Sequence, residues 1–527
     1  MALVTDRILT AGQIRNAEWG LINNDIVSNE QLIETAAGAV VRTVVSIGEK
    51  LKVAALVGPG NNGADALAAS RMLAAQGYTV DVWEKPSLVN ASSPQRIKLI
   101  ESGLPVFIGS MYETIEWASY DVVMDGLFGI GINRKISEED SKVIDSLNFA
   151  HRDSDHLKVI AIDIPSGVNA DNGLLFGNAV QADMTVTFSA IKPGLILYPG
   201  RAYAGEVIIA DAGVLAEALP ESEFIRLTCV PALPERDPAG HKGTFGRILI
   251  VAGSNTGPGA ALLATQACYR SGAGLCKLVT PEAILPEVLH TVPEAVFCGR
   301  ERFLENPADE TKGCSVILIG PGLGTDEEAE RLLDSVLAVA DEWNNPESLK
   351  HVIVLDADAL NILSKRLTGT TPQERMRELR RLLSKNCIFT PHLAELGRLL
   401  GVSVADIPGS RFDIARMWNY ETDHVLIMKD ACTLVVGEGT VRFNETGNDG
   451  MGTAGSGDVL AGITAALAME FLHGTMSLAD CAAAAVAVHG TAGDLAAADI
   501  GRRSLMAGDL VRYLPKAYGA PCAAEEE

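Results

Sequence analysis

Residues 448–462 read NDGMGTAGSGDVLAG, a run in which four glycines precede Asp458. The residues that follow, VLAGITAALAMEFL, are largely apolar and predict a helix. Glycine lets backbone N–H groups approach a ligand without a Cβ in the way. The first N–H groups of a helix lack partners and favour negative charge. The stretch therefore predicts a phosphate-binding loop that opens directly into a helix.

Asp458 falls in the first turn of this predicted helix. The helix dipole and the free N–H groups stabilise a carboxylate at that position. We therefore expect Asp458 to be anionic at neutral pH and placed to take a proton from a substrate hydroxyl. The alternative interpretation is that Asp458 merely caps a helix behind a flexible loop.

Length and composition indicate a globular protein with at least two domains. A chain of 527 residues exceeds what one hydrophobic core usually organises. Hydrophobic residues make up 47% and charged residues 21%, as in soluble globular proteins. The net charge of −24 argues against a nucleic-acid partner and against an anionic membrane surface.

The sequence also indicates a cytoplasmic protein without a membrane partner. The N-terminus lacks the pattern of a signal peptide, and apolar runs such as 481–488 are too short to span a bilayer. None of the nine cysteines forms a C-x-x-C pair, which indicates reduced thiols and no zinc site. We also expect a homo-oligomer.

The first half of the chain alternates short apolar runs with helix-like segments. Helices are predicted over 13–24 and 29–49. Strands are predicted over 53–57, 80–83, 106–108, 122–125, 159–162, 184–188 and 207–210. The alternation predicts a parallel sheet covered on both faces, and ligands bind such sheets at the carboxyl ends of the strands.

Polar side chains follow three of these predicted strands. They are Asn61, Asn62, Asp65, Asp125, Asp163 and Ser166. Oxygen-rich strand ends suit a hard cation, or the sugar and amide groups of a ligand. The alternative is ordinary turn chemistry, because Asn, Asp and Ser also favour turns.

The second half repeats the strand–helix pattern after a proline-rich segment. Residues 215–240 carry four prolines and predict an extended linker. Strands are predicted over 247–252, 275–279, 315–319, 352–355, 387–389 and 425–428, and helices over 326–340 and 478–498. Lys429 is a candidate cation for phosphate, whereas Asp356 and Asp358 serve either the site or the cap of the next helix. His392 is either a pocket residue or a plain helix-start histidine.

Three stretches of the first half, GPGNNGADALAASR, DGLFGIGINRK and AIDIPSGVN, resemble the NAD(P)HX epimerase domain. The resemblance implies a Rossmann-like domain, placed at residues 1–218, that interconverts the R and S forms of hydrated NADH or NADPH. The implied substrate contacts are Asn61, Asn62, Gly63, Ala64, Asp65, Gly129, Ile130, Gly131, Ile132, Asn133, Arg134, Lys135 and Asp163. It also implies a potassium ion on Asn62, Asp125 and Ser166, and we assign the acid–base role to Asp163.

One departure from this family concerns the turn that usually reads NNGGDG. Ala64 and Ala66 stand at two of its glycine positions. If either position requires a positive φ, alanine costs stability or reshapes the pocket.

Six stretches of the second half resemble the ADP-dependent NAD(P)HX dehydratase, which has a ribokinase-like fold. They are AGSNTGPGAALLA, GPGLG, LDADALN, FTPHLAEL, MKDACT and NDGMGTAGSGDVLAG. Together the halves resemble the bifunctional NAD(P)H-hydrate repair enzymes, which implies an α/β chain of two αβα sandwich domains. We place the second domain at residues 228–527.

The resemblance implies that ADP phosphorylates the C6 hydroxyl of the S-hydrate and that phosphate then leaves, giving NAD(P)H and AMP. Asp458 would take the hydroxyl proton, and Mg²⁺ would accompany ADP. The hydrate would contact Asp458, His392, Gly322 or Gly324, and Ala260 or its neighbour. The implied nucleotide contacts are Lys429, Asp430, Ala431, Cys432, Thr433, Asn448, Asp449, Gly450, Met451, Gly452, Thr453, Ala454, Gly455, Ser456 and Gly457.

Asp430 departs from this family, whose lysine turn usually reads KGxxT. An acid near phosphate is expected to weaken nucleotide binding. The alternative function is a ribokinase-like small-molecule kinase with a non-catalytic N-terminal binding domain, because an aspartate after a glycine loop serves kinases equally. The NNGAD and DIPSG turns of the first half favour the repair reaction.

Overall fold

The computed structural model describes residues 7–84, 94–108, 115–214, 216–343, 351–383 and 386–520. The chain divides into two compact units between Phe224 and Ile225. Each unit has its own sheet with helices packed against it.

Unit 1 is built on a seven-stranded sheet in the order β3-β2-β1-β4-β5-β6-β7, with every pair parallel. Its elements are α1 Ala11–Asn23, α2 Asn29–Ile47, β1 Lys52–Val57, α3 Asn61–Ala75, β2 Thr79–Glu84, α4 Pro94–Glu101, β3 Val106–Ile108, β4 Val122–Gly126, α5 Glu138–Arg152, β5 Lys158–Ile162, β6 Met184–Phe188, α6 Pro193–Ile196, α7 Arg201–Ala204 and β7 Glu206–Ala210. The predicted parallel α/β sheet is confirmed.

The strand order of unit 1 decides where a ligand can bind. β1 pairs with β2 on one side and with β4 on the other, Val53 lying opposite Val80 and Val122. The chain therefore leaves β1 and β4 in opposite directions across the sheet. This switch point opens a crevice at the carboxyl ends of the two strands.

Unit 2 is built on a ten-stranded sheet in the order β11-β10-β9-β12-β13-β14-β15-β16-β17-β8. Its elements are β8 Phe224–Leu227, β9 Arg247–Val251, α8 Pro258–Arg270, β10 Leu275–Thr280, α9 Leu285–Thr291, β11 Val296–Gly299, α10 Arg300–Glu305, α11 Pro307–Thr311, β12 Val316–Ile319, α12 Glu327–Trp343, β13 Val352–Leu355, α13 Ala357–Arg366, α14 Pro372–Leu382, β14 Cys387–Phe389, α15 Leu393–Leu400, α16 Ile407–Glu421, β15 Val425–Met428, β16 Leu434–Gly437, β17 Thr440–Asn444, α17 Ser456–His473, α18 Leu478–Ile500 and α19 Ala507–Tyr518.

The second sheet is parallel from β11 to β15 and antiparallel from β15 to β17. The segment 215–240, predicted as an extended linker inside which the second domain begins, also contains the unpredicted strand β8, which forms the edge of this sheet beside β17. Short edge strands bury few side chains, so the sequence pattern does not reveal them. Residue 215 lies outside the described residues.

The helix α18 packs in the core of unit 2. Within the described ranges it alone is long and apolar enough to cross a membrane, and 72% of its most apolar window is buried. The apolar run 481–488, judged too short to span a bilayer, is part of a helix of 23 residues, and the helix predicted over 478–498 is confirmed with its end at Ile500. Its burial against α17 and α19 explains the apolar composition.

The cysteines differ in one respect from the prediction. Seven are buried free thiols: Cys268, Cys276, Cys298, Cys314, Cys387, Cys432 and Cys481. Cys229 is disulfide-bonded, so the prediction of reduced thiols is wrong at this position. Cys522 lies outside the described residues.

Candidate functional sites

A cavity of about 900 Å³ opens at the carboxyl ends of β1, β4 and β5 in unit 1. It is lined by Asn61, Asn62, Asp65, Asp163 and every residue of the loop 128–137, which includes all predicted contacts between Gly129 and Lys135. The first helix adds Arg15 and Glu18, which the sequence did not reveal. The structure therefore collects most of the predicted epimerase residues around one cavity.

Two predicted substrate contacts, Gly63 and Ala64, are not among the residues that line this cavity. A Cβ on Gly63 would lie 1.9 Å from the carbonyl oxygen of Gly58, so glycine lets α3 pack on the preceding turn. Ala64 packs against the hydrophobic core of the unit. Gly63 and Ala64 therefore support the turn by packing on the side away from the cavity.

The two alanines of this turn fit the backbone. Ala64 and Ala66 lie inside α3 and are not among the residues with positive φ. Ala66 is fully buried, and a Cβ on Gly126 would lie 2.6 Å from the Ala66 Cβ. The strain expected from losing two glycines does not arise, because both positions are helical.

Asp163 is paired with a lysine that the sequence analysis missed. Lys192 is fully buried, and its Nζ donates to Asp163 Oδ1, to Thr187 Oγ1 at 2.9 Å and to the Phe188 carbonyl at 2.9 Å. Asp163 has a φ of 65°, a strained value for a residue with a side chain. The available signal was a lysine four residues after an apolar strand.

The carboxyl groups of this cavity repel one another. Burial, followed by the charges of Asp163 and Glu18, raises the pKa of Asp65 well above its usual value. Burial and then Asp163 also raise the pKa of Glu18, whereas Lys192 and Arg15 lower it. The cavity thus contains Asp65, whose raised pKa favours the protonated form, together with Asp163, which is paired with Lys192. Two carboxyl groups in such different surroundings suit acid–base chemistry.

Asn62, Asp125 and Ser166 meet beneath the loop 128–137. Ser166 donates from Oγ to Asp125 Oδ1 at 2.6 Å and from its backbone N–H to Oδ2 at 2.8 Å. Within the described chain, both polar atoms of the buried Asn62 amide lack a hydrogen-bond partner. Burial raises the pKa of Asp125 to about 6. A buried carboxylate beside an unpartnered amide oxygen fits a cation bound through oxygen atoms.

This site differs from those of transition metals. The described residues contain no group of three or more His, Cys, Asp or Glu side chains that could hold a metal ion. The donors at Asn62 and Ser166 are an amide and a hydroxyl, which suit hard cations.

In unit 2 the predicted loop opens into a helix as the sequence indicates. Gly455 has a φ of 90°, and α17 begins at Ser456 with Asp458 in its first turn. A Cβ on Gly457 would lie 3.2 Å from Lys429 Nζ. The Lys429 ammonium therefore lies against the N-terminus of α17. The ammonium and the helix N-terminus each favour an anion at this place.

Asp356 anchors this lysine. Its Oδ1 accepts from Lys429 Nζ at 2.8 Å and from Thr390 Oγ1 at 2.6 Å, and the residue is 1% exposed. Asp356 occupies the position before α13, but its side chain makes no capping hydrogen bond. The capping alternative is therefore wrong for Asp356, which joins the site. Asp358 accepts from the backbone N–H of Gly324 at 2.9 Å.

Asp458 differs from the prediction in its protonation. Burial, followed by the negative charge of Asp356, raises its pKa to about 7, although Lys429 opposes the shift. The expectation of a fully anionic side chain at neutral pH is wrong, because burial and neighbouring carboxylates outweigh the helix dipole. A base whose pKa lies near the working pH is efficient in proton transfer.

The glycine loop is held from below by Asp494, which the sequence analysis missed. Asp494 accepts from the Gly447 N–H at 2.7 Å and from Asn448 Nδ2 at 2.9 Å. Asn448 Oδ1 in turn accepts from the Gly450 N–H at 3.1 Å. Gly452 and Ala454 are exposed, whereas Met451 packs towards Gly493, where a Cβ would lie 2.2 Å from its Sδ. The loop thus combines an exposed tip with an anchored base.

The carboxylate of Asp430, which follows Lys429, is paired with an arginine. Asp430 Oδ2 accepts from Arg411, whose side chain is only 4% exposed. Thr433 Oγ1 donates to the Asp430 carbonyl at 3.1 Å, and Cys432 is buried. The prediction of weaker nucleotide binding assumed an uncompensated acid, and the structure pairs that acid with an arginine.

The remaining predicted contacts lie at strand ends of the same sheet edge. Gly322 and Gly324 have φ values of 57° and 87°, and a Cβ on Gly322 would lie 2.8 Å from the Ala260 Cβ. His392 Nδ1 accepts from the backbone N–H groups of Ala394 and Glu395 at 3.1 and 3.2 Å. His392 thus caps α15, and its contact with the hydrate stays a prediction. Its side chain is also half exposed.

Both halves of the chain match known families. Residues 29–194 match the model described as YjeF-related protein N-terminus, and residues 248–516 match the model described as NAD(P)H-hydrate dehydratase. The bifunctional NAD(P)H-hydrate repair enzyme Nnr of Thermofilum pendens is 34% identical over 94% of this chain and 93% of its own length. The enzyme of the same name from Escherichia coli is 31% identical over 88% of this chain and 84% of its own.

Solved structures are similar to the second half. The ADP/ATP-dependent NAD(P)H-hydrate dehydratase of Bacillus subtilis, co-crystallised with ATP/Mg²⁺, is 29% identical, covering 55% of this chain and 94% of its own with a TM-score of 0.45. A ribokinase-like superfamily protein of Enterococcus faecalis is 26% identical, covering 57% and 97%, with a TM-score of 0.48.

Proposed function

Since the chain belongs to the family of bifunctional NAD(P)H-hydrate repair enzymes, we propose a division of roles among the residues of its two sites. The chain epimerises hydrated NAD(P)H with its YjeF-related domain and dehydrates the S-hydrate with its ribokinase-like domain. The contact of Lys429 with the N-terminus of α17, beside Asp458, is the observation that carries the dehydratase assignment.

In the dehydration, Asp458 accepts the proton of the C6 hydroxyl while that oxygen attacks the terminal phosphoryl group of ADP. Lys429 and the N–H groups of the glycine loop stabilise the charge on the migrating group. AMP leaves, and phosphate then departs from C6 with a proton from the neighbouring ring carbon, which restores NAD(P)H. Phosphate is a far better leaving group than hydroxide. Mg²⁺ bound with the nucleotide would neutralise phosphate charge, and its presence with ATP in the Bacillus subtilis dehydratase crystals supports this.

In the epimerisation, the C6 hydroxyl leaves as water with a proton from Asp163, and the ring nitrogen stabilises the cation at C6. Asp163 takes a proton back from the water that adds to the opposite face, and Lys192 holds the Asp163 side chain in place. Asp65 and the loop 128–137 surround the hydrate in the cavity. Asn62, Asp125 and Ser166 would hold a potassium ion, which supplies positive charge beneath that loop. The unpartnered Asn62 amide supports this assignment.

Epimerisation is expected to require potassium. Exchange of K⁺ for tetramethylammonium, or the substitution Asn62→Ala, is expected to slow epimerisation about ten- to a hundred-fold. Substitutions around bound metal ions commonly lower activity by the same factor. The rate is measured as recovery of NADH from the R-hydrate with excess ADP. Dehydration of the S-hydrate serves as the internal control for Asn62→Ala, and Asn24→Ala, which alters an exposed amide, is the matched variant. An epimerisation rate that is independent of K⁺ would contradict the assignment.

Dehydration is expected to depend on pH through Asp458. Only the anionic form accepts a proton, so kcat/KM rises as the pH passes the pKa of about 7 and levels off above it. The rise is measured with the S-hydrate and ADP as the absorbance of NADH returns. A flat profile on both sides of neutrality would remove Asp458 from the role of base.

The ion pair of Arg411 and Asp430 is expected to tune nucleotide binding. Arg411→Ala leaves the Asp430 carboxylate unpaired beside the phosphates and is expected to raise the KM for ADP about ten-fold. The double variant Arg411→Ala/Asp430→Gly removes that charge and is expected to restore the KM. A double-mutant cycle measures the coupling, and additive effects of the two substitutions would show that the pair does not act on the nucleotide.

Cytoplasmic location and a homo-oligomeric state stay predictions. Light scattering after size-exclusion chromatography measures the oligomeric state.

A further inference from the structure

Arg300 is a buried arginine that the mechanism does not use. It is the first residue of α10, directly after β11, and it is 5% exposed. The sheet order β11-β10-β9-β12 places β11 two strands away from β9 and three from β12. The Arg300 side chain nevertheless reaches the turns that follow both of these strands.

The guanidinium joins the two turns. Its NH2 donates to the Gly253 carbonyl, in the turn after β9, and to the Leu323 carbonyl at 2.9 Å, in the turn after β12. Its NH1 donates to Glu328 Oε2 at 2.7 Å, at the start of α12. Because hydrogen bonds from a cation to buried carbonyls are strong, the planar fork fixes the spacing of the two turns.

The two turns also contact each other directly. The Gly253 N–H donates to the Pro321 carbonyl at 2.8 Å, and the Gly322 backbone lies against Ala260. Gly320, Gly322 and Gly324 all have positive φ, so this segment depends on its surroundings for its shape. These are the turns expected to contact the hydrate.

We propose that Arg300 is a positioning residue for the hydrate, holding the turns after β9 and β12 at the spacing that the substrate requires. The proposal rests on the proposed dehydratase function and on the hydrate contacts at Gly322 or Gly324 and at Ala260 that the family resemblance implies. Arg300 acts through the backbone and touches neither the nucleotide turn at Lys429 nor Asp458 by any contact in the described structure. Its loss should therefore weaken hydrate binding more than ADP binding.

The test measures steady-state dehydration by Arg300→Lys and Arg300→Gln in the full-length protein. The guanidinium holds both carbonyls through NH2 while NH1 holds Glu328, and a single tetrahedral ammonium on a shorter side chain cannot keep these three partners in the same geometry. The KM for the S-hydrate is expected to rise about ten- to a hundred-fold, as for small misplacements of a substrate. The KM for ADP and the epimerisation rate are expected to stay unchanged, and Arg300→Lys is expected to be milder than Arg300→Gln.

Glu328→Gln is the matched control, because it alters the third contact of the guanidinium and leaves both carbonyls bound. It is expected to preserve the KM for the hydrate. Unchanged kinetics in both Arg300 variants would overturn the proposal. An equal rise in both KM values, or a lowered thermal midpoint with normal kinetics in the folded fraction, would reveal a purely structural role and would also overturn it.

Ala260→Leu separates failure of this proposal from failure of the site assignment. It enlarges a side chain at the turn itself, so it is expected to raise the KM for the hydrate whether or not Arg300 has the proposed role. If Ala260→Leu raises that KM and the Arg300 variants do not, only the role of Arg300 is wrong. If neither changes it, the hydrate binds elsewhere and both proposals fall.

Discussion

Asp458→Asn is expected to abolish dehydration and to leave epimerisation intact. Asparagine keeps the size and polarity of the side chain but cannot accept the proton of the C6 hydroxyl. Loss of a general base lowers the rate about 10²- to 10⁴-fold. The return of NADH absorbance from S-hydrate and ADP measures the first activity, and interconversion of the separated R and S forms measures the second.

Asp480→Asn is a matched control for this variant. Asp480 lies in the first turn of α18 as Asp458 lies in the first turn of α17, but its side chain pairs with Arg442 and accepts from Oγ of Ser477, the residue that caps the helix. Its loss is expected to cost stability of about 1 kcal/mol and no dehydratase chemistry. Dehydration retained in Asp458→Asn at the wild-type rate would exclude the aspartate as base and would favour a loop that only binds phosphate.

Lys192→Met is expected to have the largest effect on unit 1, on both stability and epimerisation. The fully buried Lys192 ammonium is the cationic partner of Asp163 Oδ1, so methionine leaves a buried carboxylate unpaired. Breaking a buried pair in this way costs about 3–5 kcal/mol. Epimerisation should fall about 10²-fold or more, because Asp163 then loses the cation that holds its side chain in place for proton transfer. Denaturant unfolding and the R-to-S rate measure the two effects.

Two further variants serve as controls for Lys192→Met. Lys158→Met removes a lysine that is 42% exposed and shares Asp183 with His151, so it is expected to cost less than about 1 kcal/mol. Lys192→Met/Asp163→Asn removes both charges and is expected to recover much of the stability without the activity. Recovery of epimerisation in the double variant would show that Asp163 is not the acid–base group.

Most parallel strands of both units could be predicted from sequence because they are buried on both faces. They are then continuous apolar runs, such as β1 and β12, which are recognisable one segment at a time. The glycine loop before Asp458 is local in the same way, since a positive φ at Gly455 and the start of α17 depend on neighbouring residues. The strands β8, β11, β16 and β17 were missed: β8 and β11 lie at the edges of the second sheet, and β16 and β17 form its antiparallel part.

The partners of the site residues could not be predicted, because each comes from a distant element. Lys192 meets Asp163 across 29 positions, Arg411 meets Asp430 across 19, and Lys429 meets Asp356 across 73. Nothing in the spacing of one residue indicates the other. Arg300 reached its two turns in the same way, across 47 and 23 positions.

The sequence by itself determined the two α/β units, the strand ends that carry the candidate site residues, and the loop that presents Asp458. Only the tertiary structure decided how these groups are charged. Asp458 has a pKa of about 7, and the order of the causes is burial and then Asp356, with Lys429 opposing them. Burial and long-range Coulomb interactions depend on the packing of elements that are far apart in the chain, and a local motif carries no record of that packing.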